Sequence, residues 1–166
     1  EAHLPHIIKK NLDQTKKVVV IGAGPAGLEA ARVCALRGHQ VTLFEAAHQA
    51  GGQVLLAGKV HWRNDLNTII DWLEKEIQIL AVDIRFNYFA EKADILAENP
   101  DVVIIATGGS PNTEWINGNA RVVNAWDVLS GMVQLTGHVF IHDQTGRNTA
   151  LTVADYLSEK GVSVTL

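Results

Sequence analysis

The sequence predicts an α/β fold, a three-layer domain with a mostly parallel sheet, followed by the start of a second unit of the same design. Three observations carry this prediction. Val18 to Ile21 and Val41 to Phe44 are short apolar runs, and the helical stretch from Ala26 to about Arg37 lies between them, which is the pattern of a βαβ unit. A third apolar run, Val102 to Ile105, ends in small residues and turn formers, as a strand buried on both faces would. Finally, the segment from Gly137 to Leu166 again reads strand, turn, helix, glycine and strand.

Composition narrows the class. The chain has 166 residues, 47% of them hydrophobic and 19% charged, which is enough for one well-cored globular domain and excludes disordered and collagen-like classes. A net charge of −4 gives no basic footprint, so neither nucleic acid nor an anionic membrane surface is expected as a partner. No apolar run reaches the roughly 18 residues that a membrane helix needs. The single cysteine, Cys34, cannot form an internal disulfide and reads as a small core residue, compatible with a cytoplasmic protein. With no initiator Met, no signal-peptide core and an end inside the apolar run Val162 to Leu166, the chain reads as a piece of a longer protein. Residues 1–16 are polar, contain Pro5 and read as a linker from an upstream domain, residues 17–130 as the first domain and residues 131–166 as part of the second. His3 and His6 have no suitable third ligand nearby, so no metal site is expected.

The first βαβ unit carries the chemistry. Val18 to Ile21 runs into Gly22, Gly24 and Gly27, spaced as GxGxxG, and the second strand ends on Glu45. Gly22 lets the strand turn sharply, Gly24 removes a side chain where a pyrophosphate must touch backbone, and Gly27 lets the helix lie close to the strand. The helix opens with free N–H groups and the positive end of its dipole facing the phosphates, while Ala31 is small where the helix crosses the sheet. Gly38 is placed to end that helix as a left-handed cap. An acid at position 45 accepts from an unphosphorylated ribose, so the adenosine of FAD, NAD or ADP fits and NADP does not.

The rest of the chain supplies candidates around that turn. Gly51 and Gly52 follow the second strand and permit a turn with exposed backbone N–H groups, after which Gln53 can hydrogen-bond a ligand and Arg63 can offer charge to a phosphate. From Asn64 to Leu80, the residues Leu66, Ile69, Ile70, Leu73, Ile77 and Leu80 recur at helical steps, which predicts an amphipathic helix with Trp62 and Trp72 packed beside it. Asp83 to Phe89 reads as a strand, Ala93 to Ala97 as a short helix ended by Asn99-Pro100, and Ala106, Thr107 and Gly108 as a loop able to close over a cofactor. Arg121 to Ala125 reads as a short strand and Trp126 to Gly131 as one helical turn. In the second unit, matching Gly161 to Gly38 places Thr145, Arg147 and Ala150 at the three glycine positions. An arginine at the second position blocks the backbone approach a pyrophosphate requires, so this unit is not expected to bind a dinucleotide in the usual way. No paired acid and base and no redox Cys-x-x-Cys is present, so no catalytic residue is assigned.

Together, GAGPAG with Glu45, GGQ at Gly51 to Gln53, ATG at Ala106 to Gly108 and the second unit resemble the two-dinucleotide-binding-domain flavoproteins. The series VTLFEA, GGQ, WR and ATGGSP is similar to the C-terminal FAD/NAD(P)-binding region of iron–sulfur flavoenzymes of the trimethylamine dehydrogenase, histamine dehydrogenase, N-methylproline demethylase and 2,4-dienoyl-CoA reductase type. The resemblance implies a Rossmann-like FAD/NAD(P)-binding domain behind a barrel that holds FMN and a 4Fe-4S cluster, and a fragment inactive alone. It places Gly22, Gly24 and Ala26 along the pyrophosphate and Glu45 on the adenosine ribose, with Pro25, Gly27 and Ala46 also among the expected cofactor-binding residues. Gly52, Gln53 and Arg63 come around the dinucleotide, with Ala106, Thr107 and Gly108 beside it. Phe89 and Ala90, in a strand followed by a turn, become the expected adenine contact. The altered second unit favours the amine-dehydrogenase or demethylase branch, whose electrons leave to an electron-transfer partner, over an NADPH-dependent dienoyl-CoA reductase. The first-site ligand is expected to be FAD, with ADP in a purely structural role as the alternative.

Overall fold

The computed structural model describes residues 8–10, 13–114, 121–143 and 146–166. Pro5, His3, His6 and Thr145, which entered the reading of the linker, of a metal site and of the second glycine set, lie outside the described residues. The chain divides into two compact units, one formed by Glu1–Gln53 with Asn67–Gly108 and the other by Val54–Leu66 with Gly109–Leu166. This division differs from a boundary at residue 130, because residues 125–130 pack within the second unit.

In the first unit, β1 (Lys17–Ile21), β2 (Gln40–Phe44), β3 (Asp83–Arg85) and β4 (Val102–Ile105) form a four-stranded sheet in the order β3-β2-β1-β4. All three pairings are parallel. Between β1 and β2 runs α1 (Pro25–Leu36), and α3 (Asn67–Ile79) packs against it before the chain enters β3. The centre of the unit is apolar throughout. Val18, Val19 and Val20 are all buried, so both faces of β1 are covered, and Leu28, Leu43, Phe44 and Ile77 are almost wholly enclosed. Burying each of those four larger side chains, two on β2 and one each on α1 and α3, contributes on the order of 2 kcal/mol. Gly38 follows α1 at φ +91°, the left-handed conformation its position predicts.

Several local expectations are corrected. The amphipathic run is not one helix from Asn64: His61–Leu66 is a 3-10 turn, and α3 starts at Asn67. Ile70, Leu73 and Ile77 face inward, but Ile69 is 51% exposed and is not part of the buried stripe. Trp62 and Trp72 are about half exposed rather than packed in a core. Each has a guanidinium over its ring instead, with Arg63 5.4 Å from the Trp62 ring centre and Arg32 5.2 Å from that of Trp72. The expected strand Asp83 to Phe89 stops at Arg85, because the chain turns through Asn87 at φ +54°. After α4 (Lys92–Ala97), β4 is not buried on both faces: it is an end strand of the sheet, and Ile105 is 75% exposed.

The second unit includes α2 from Val54 onward (the helix is Gln53–Ala57), α5 (Ala125–Ser130), β5 (His138–Phe140), α6 (Asn148–Glu159) and β6 (Ser163–Thr165). Strands β5 and β6 pair in parallel. A separate core of Val128, Leu129, Val153, Leu157 and Val162 holds α5, α6 and the entry to β6 together. Residues 121–125 contain no strand: Asn124 is the N-cap of α5, its side-chain oxygen accepting from the N–H groups of Trp126 and Asp127. The helix ends at Gly131 with φ +82°. A cap whose acceptor satisfies two first-turn donors outweighs the strand propensity of Val122 and Val123.

Candidate nucleotide site

Parallel register brings the motif segments to one edge. Ile21 is aligned with Phe44 on one side and Ile105 on the other, so Gly22, Glu45 and Ala106 emerge side by side at the carboxyl ends of β1, β2 and β4 respectively. The chain order passes from β1 outward to β2 and β3 and then returns to β4 on the other flank. That reversal point is where open parallel sheets leave a crevice for a ligand.

The glycines divide by role. A Cβ on Gly22, whose φ is +99°, would stand 2.5 Å from the Ala106 carbonyl oxygen, and one on Gly27 would collide with the carbonyl oxygen of Gly22. Both glycines are therefore required by the close crossing of helix and strands. Gly24 is different: a Cβ there meets nothing within 4 Å, and its backbone is extended at φ −71° and ψ 176°. The fold does not require glycine at this position. The space beside it is open, as a bound diphosphate would need.

Helix α1 begins with Gly24 as N-cap and Pro25 in its first turn, with no side-chain cap and no acid in that turn. By contrast, α4 closes its start with a reciprocal Glu91 and Asp94 box. The first-turn donors of α1 thus lack the side-chain acceptor that helix starts ordinarily carry, and they suit an anion. Ala26 is exposed beside Gly24 on this turn.

Glu45 lies at the centre of the edge. Its Oε2 accepts from the Ala23 N–H at 2.6 Å and its Oε1 from the Ala47 N–H at 2.8 Å. Ala46 is exposed between them. The Gly51 N–H donates to the Ala23 carbonyl at 2.8 Å, and a Cβ on Gly52 would come within 3.4 Å of the Gly24 Cα, so the paired glycines sit against the first turn. Gly108 lies near Gln53, whose Nε2 would be 3.4 Å from a Cβ on that glycine, and Thr107 is exposed on the same loop.

Thus Gly22, Gly24, Pro25, Ala26, Gly27, Glu45, Ala46, Gly52, Gln53, Ala106, Thr107 and Gly108 share the first unit and its carboxyl edge. Arg63 does not: it belongs to the second unit, where Nη1 donates to the buried Thr152 hydroxyl at 3.4 Å. Phe89 and Ala90 follow β3 but lie in irregular chain rather than a strand, and Phe89 is 80% exposed. The neighbouring Tyr88 is the better-anchored aromatic, with its ring 5.1 Å from Phe44 and its hydroxyl donating to Asp94 at 2.9 Å. That hydrogen bond pushes the Tyr88 phenol up. Ala23 and Ala47 were not legible as site residues because they act through main-chain N–H groups, which side-chain identity does not signal.

Cys34 sits half-buried on α1, and burial pushes its thiol up while Arg37 opposes this. A raised pKa leaves less thiolate at any pH below it. Alkylation by iodoacetamide at pH 8 is expected to be slower than for free cysteine, with the difference disappearing on denaturation; equal rates in the folded protein would contradict this placement.

The chain is similar to known proteins over nearly its whole length. The family model described as pyridine nucleotide-disulphide oxidoreductase matches residues 16–166. The multifunctional alkene reductase/demethylase OYE of Caballeronia cordobensis is 46% identical over all of this chain, which covers 24% of that protein. The probable N-methylproline demethylase of Rhizobium meliloti strain 1021 is 48% identical over 99% of this chain, again covering 24% of the relative. Among solved structures, a 2-naphthoyl-CoA reductase bound to 2-naphthoyl-CoA superposes over 95% of this chain with a TM-score of 0.83 and 38% identity, the chain spanning 24% of it. The chain therefore spans about a quarter of the length of the relatives it matches.

Proposed function

Because the chain belongs to the pyridine nucleotide-disulphide oxidoreductase family, we propose that its first unit binds FAD, with ADP as the alternative, as part of a larger iron–sulfur flavoprotein oxidoreductase. The observation that carries this is Gly24, a glycine with open space at its Cβ, at the start of a helix that has no side-chain cap. The diphosphate lies along Gly22 to Gly27, the ribose at Glu45 and Ala46, and Gly52, Gln53, Ala106, Thr107 and Gly108 line the dinucleotide. Phe89 and Ala90 are the proposed adenine contact.

The substrate chemistry belongs to an upstream domain holding FMN and a 4Fe-4S cluster, of the amine-dehydrogenase or demethylase kind. Similarity to the N-methylproline demethylase supports that branch. Electrons then pass to an electron-transfer partner in the cytoplasm. An NADPH-dependent reductase is the second reading. The alkene reductase and 2-naphthoyl-CoA reductase among the similar proteins favour it, and Arg147 in the second unit disfavours it.

The test is to denature the purified intact protein and identify the released nucleotides by chromatography and mass spectrometry. FAD or ADP in about equimolar amount to the chain is expected. Release of FMN alone would refute the proposal.

A further inference from the structure

We propose that Glu45 is a positioning residue that clasps the nucleotide cradle, holding the glycine turn and the loop after β2 in binding geometry in addition to meeting a ribose. The inference rests on the adenine-nucleotide reading of this edge. Both carboxylate oxygens are engaged by main chain: Oε2 by the Ala23 N–H at 2.6 Å and Oε1 by the Ala47 N–H at 2.8 Å. The backbone of the same residue is tied as well, its N–H donating to the Arg85 carbonyl at 3.0 Å and its carbonyl accepting from Tyr88 at 2.9 Å. Ala23, fully buried, passes the connection onward, since its carbonyl accepts from Gly51. Three segments of the edge are thereby fastened directly by Glu45, namely the glycine turn, the chain after β2 and the chain at the end of β3, and the glycine pair is joined to them through Ala23.

This arrangement explains why an acid stands here. A ribose hydroxyl alone could be met by the oxygen of a glutamine. Two N–H donors, one at each end of the group, cannot, because the amide would set its own NH2 against one of them. Aspartate, a methylene shorter, cannot keep both reaches. The two charge-assisted bonds also spread the carboxylate's negative charge onto amides, which lessens its repulsion of a diphosphate nearby. A glycine turn is the part of a cradle with most backbone freedom to lose on binding, so fixing it beforehand raises affinity for any ligand that uses the phosphate position.

The experiment compares ADP with 2′,3′-dideoxy-ADP by calorimetry on the intact, nucleotide-stripped protein, in the parent, Glu45→Gln and Gly24→Val. The dideoxy ligand removes the ribose contact and keeps the diphosphate. Glu45→Gln is expected to weaken both ligands by about tenfold or more, as loss of a hydrogen bond to a charged group does. If Glu45→Gln weakens ADP but binds the dideoxy ligand as the parent does, Glu45 serves the ribose only and the clasp is refuted. Parent protein that binds neither ligand, or binding that survives Gly24→Val, refutes the site assignment instead. Hydrogen exchange of the nucleotide-free parent decides the clasp without any variant. The Ala23 and Ala47 amides are expected to be protected well beyond ordinary loop amides, and exchange at loop rates would overturn it.

Discussion

Gly24→Val is expected to leave the first unit folded and abolish nucleotide retention. Valine adopts the extended conformation of Gly24, and a Cβ there meets nothing within 4 Å, so the backbone and its immediate surroundings accept a side chain at this position. Valine is a poorer N-cap than glycine, and this costs the fold about 1 kcal/mol. The added methyl groups would instead occupy the proposed diphosphate position and push the phosphates off the main-chain donors of α1. Losing that approach is expected to weaken binding by a hundredfold or more, a change on the order of 3 kcal/mol. The measurement is nucleotide content per chain after purification, together with the melting temperature of the stripped protein. Full nucleotide content in the variant would remove the phosphates from this turn.

Gly27→Val is expected to do the reverse, damaging the fold itself. A Cβ at position 27 collides with the Gly22 carbonyl oxygen and comes within 3.3 Å of the Ala106 Cβ. Backbone cannot yield there as a flexible side chain would, because Gly22 is fixed by its own N–H bond to the Phe44 carbonyl at 2.8 Å. Helix α1 would have to lift from the sheet, loosening Leu28 and Ala31, both fully buried. Overpacking of this kind costs on the order of 3 kcal/mol, and the branched valine adds to it. Denaturant unfolding of the nucleotide-free protein is the check, and a midpoint within error of the parent would contradict the close crossing. Two glycines three residues apart thus have opposite expected phenotypes, one in binding and one in stability.

That contrast marks what could be read in the sequence. The spacing of Gly22, Gly24 and Gly27 after an apolar strand predicted the turn and the helix, and Val18 to Ile21, Val41 to Phe44 and Val102 to Ile105 all form strands. These segments were legible because each is a run of apolar, largely β-branched residues that ends in residues favouring a turn; the first two also supply buried core side chains. Where local signals competed, the longer-range reading erred. Val122 and Val123 suggested a strand, but Asn124 with Asp127 three residues on is a helix start, and the donors it satisfies decided the outcome. Asp83 to Phe89 read as one strand, yet Asn87 takes a left-handed turn, and Tyr88 packs its ring at a tilt against Phe44. Exposure of β4 could not be inferred from composition either, since an apolar run reads the same at the middle of a sheet as at its end.

The candidate site was legible in residue type more than in connectivity. Glu45 was found by its place at the end of the second strand, but its ties to Ala23 and Ala47 run through main-chain N–H groups. Such ties leave no mark on side-chain identity.

The most direct test of the central claim is a crystal structure of the intact protein with its nucleotide bound. A diphosphate against the main chain of Gly22 to Gly27, with ribose at Glu45, is the result expected. An empty first turn, with adenosine docked at Arg147 in the second unit instead, would contradict the account.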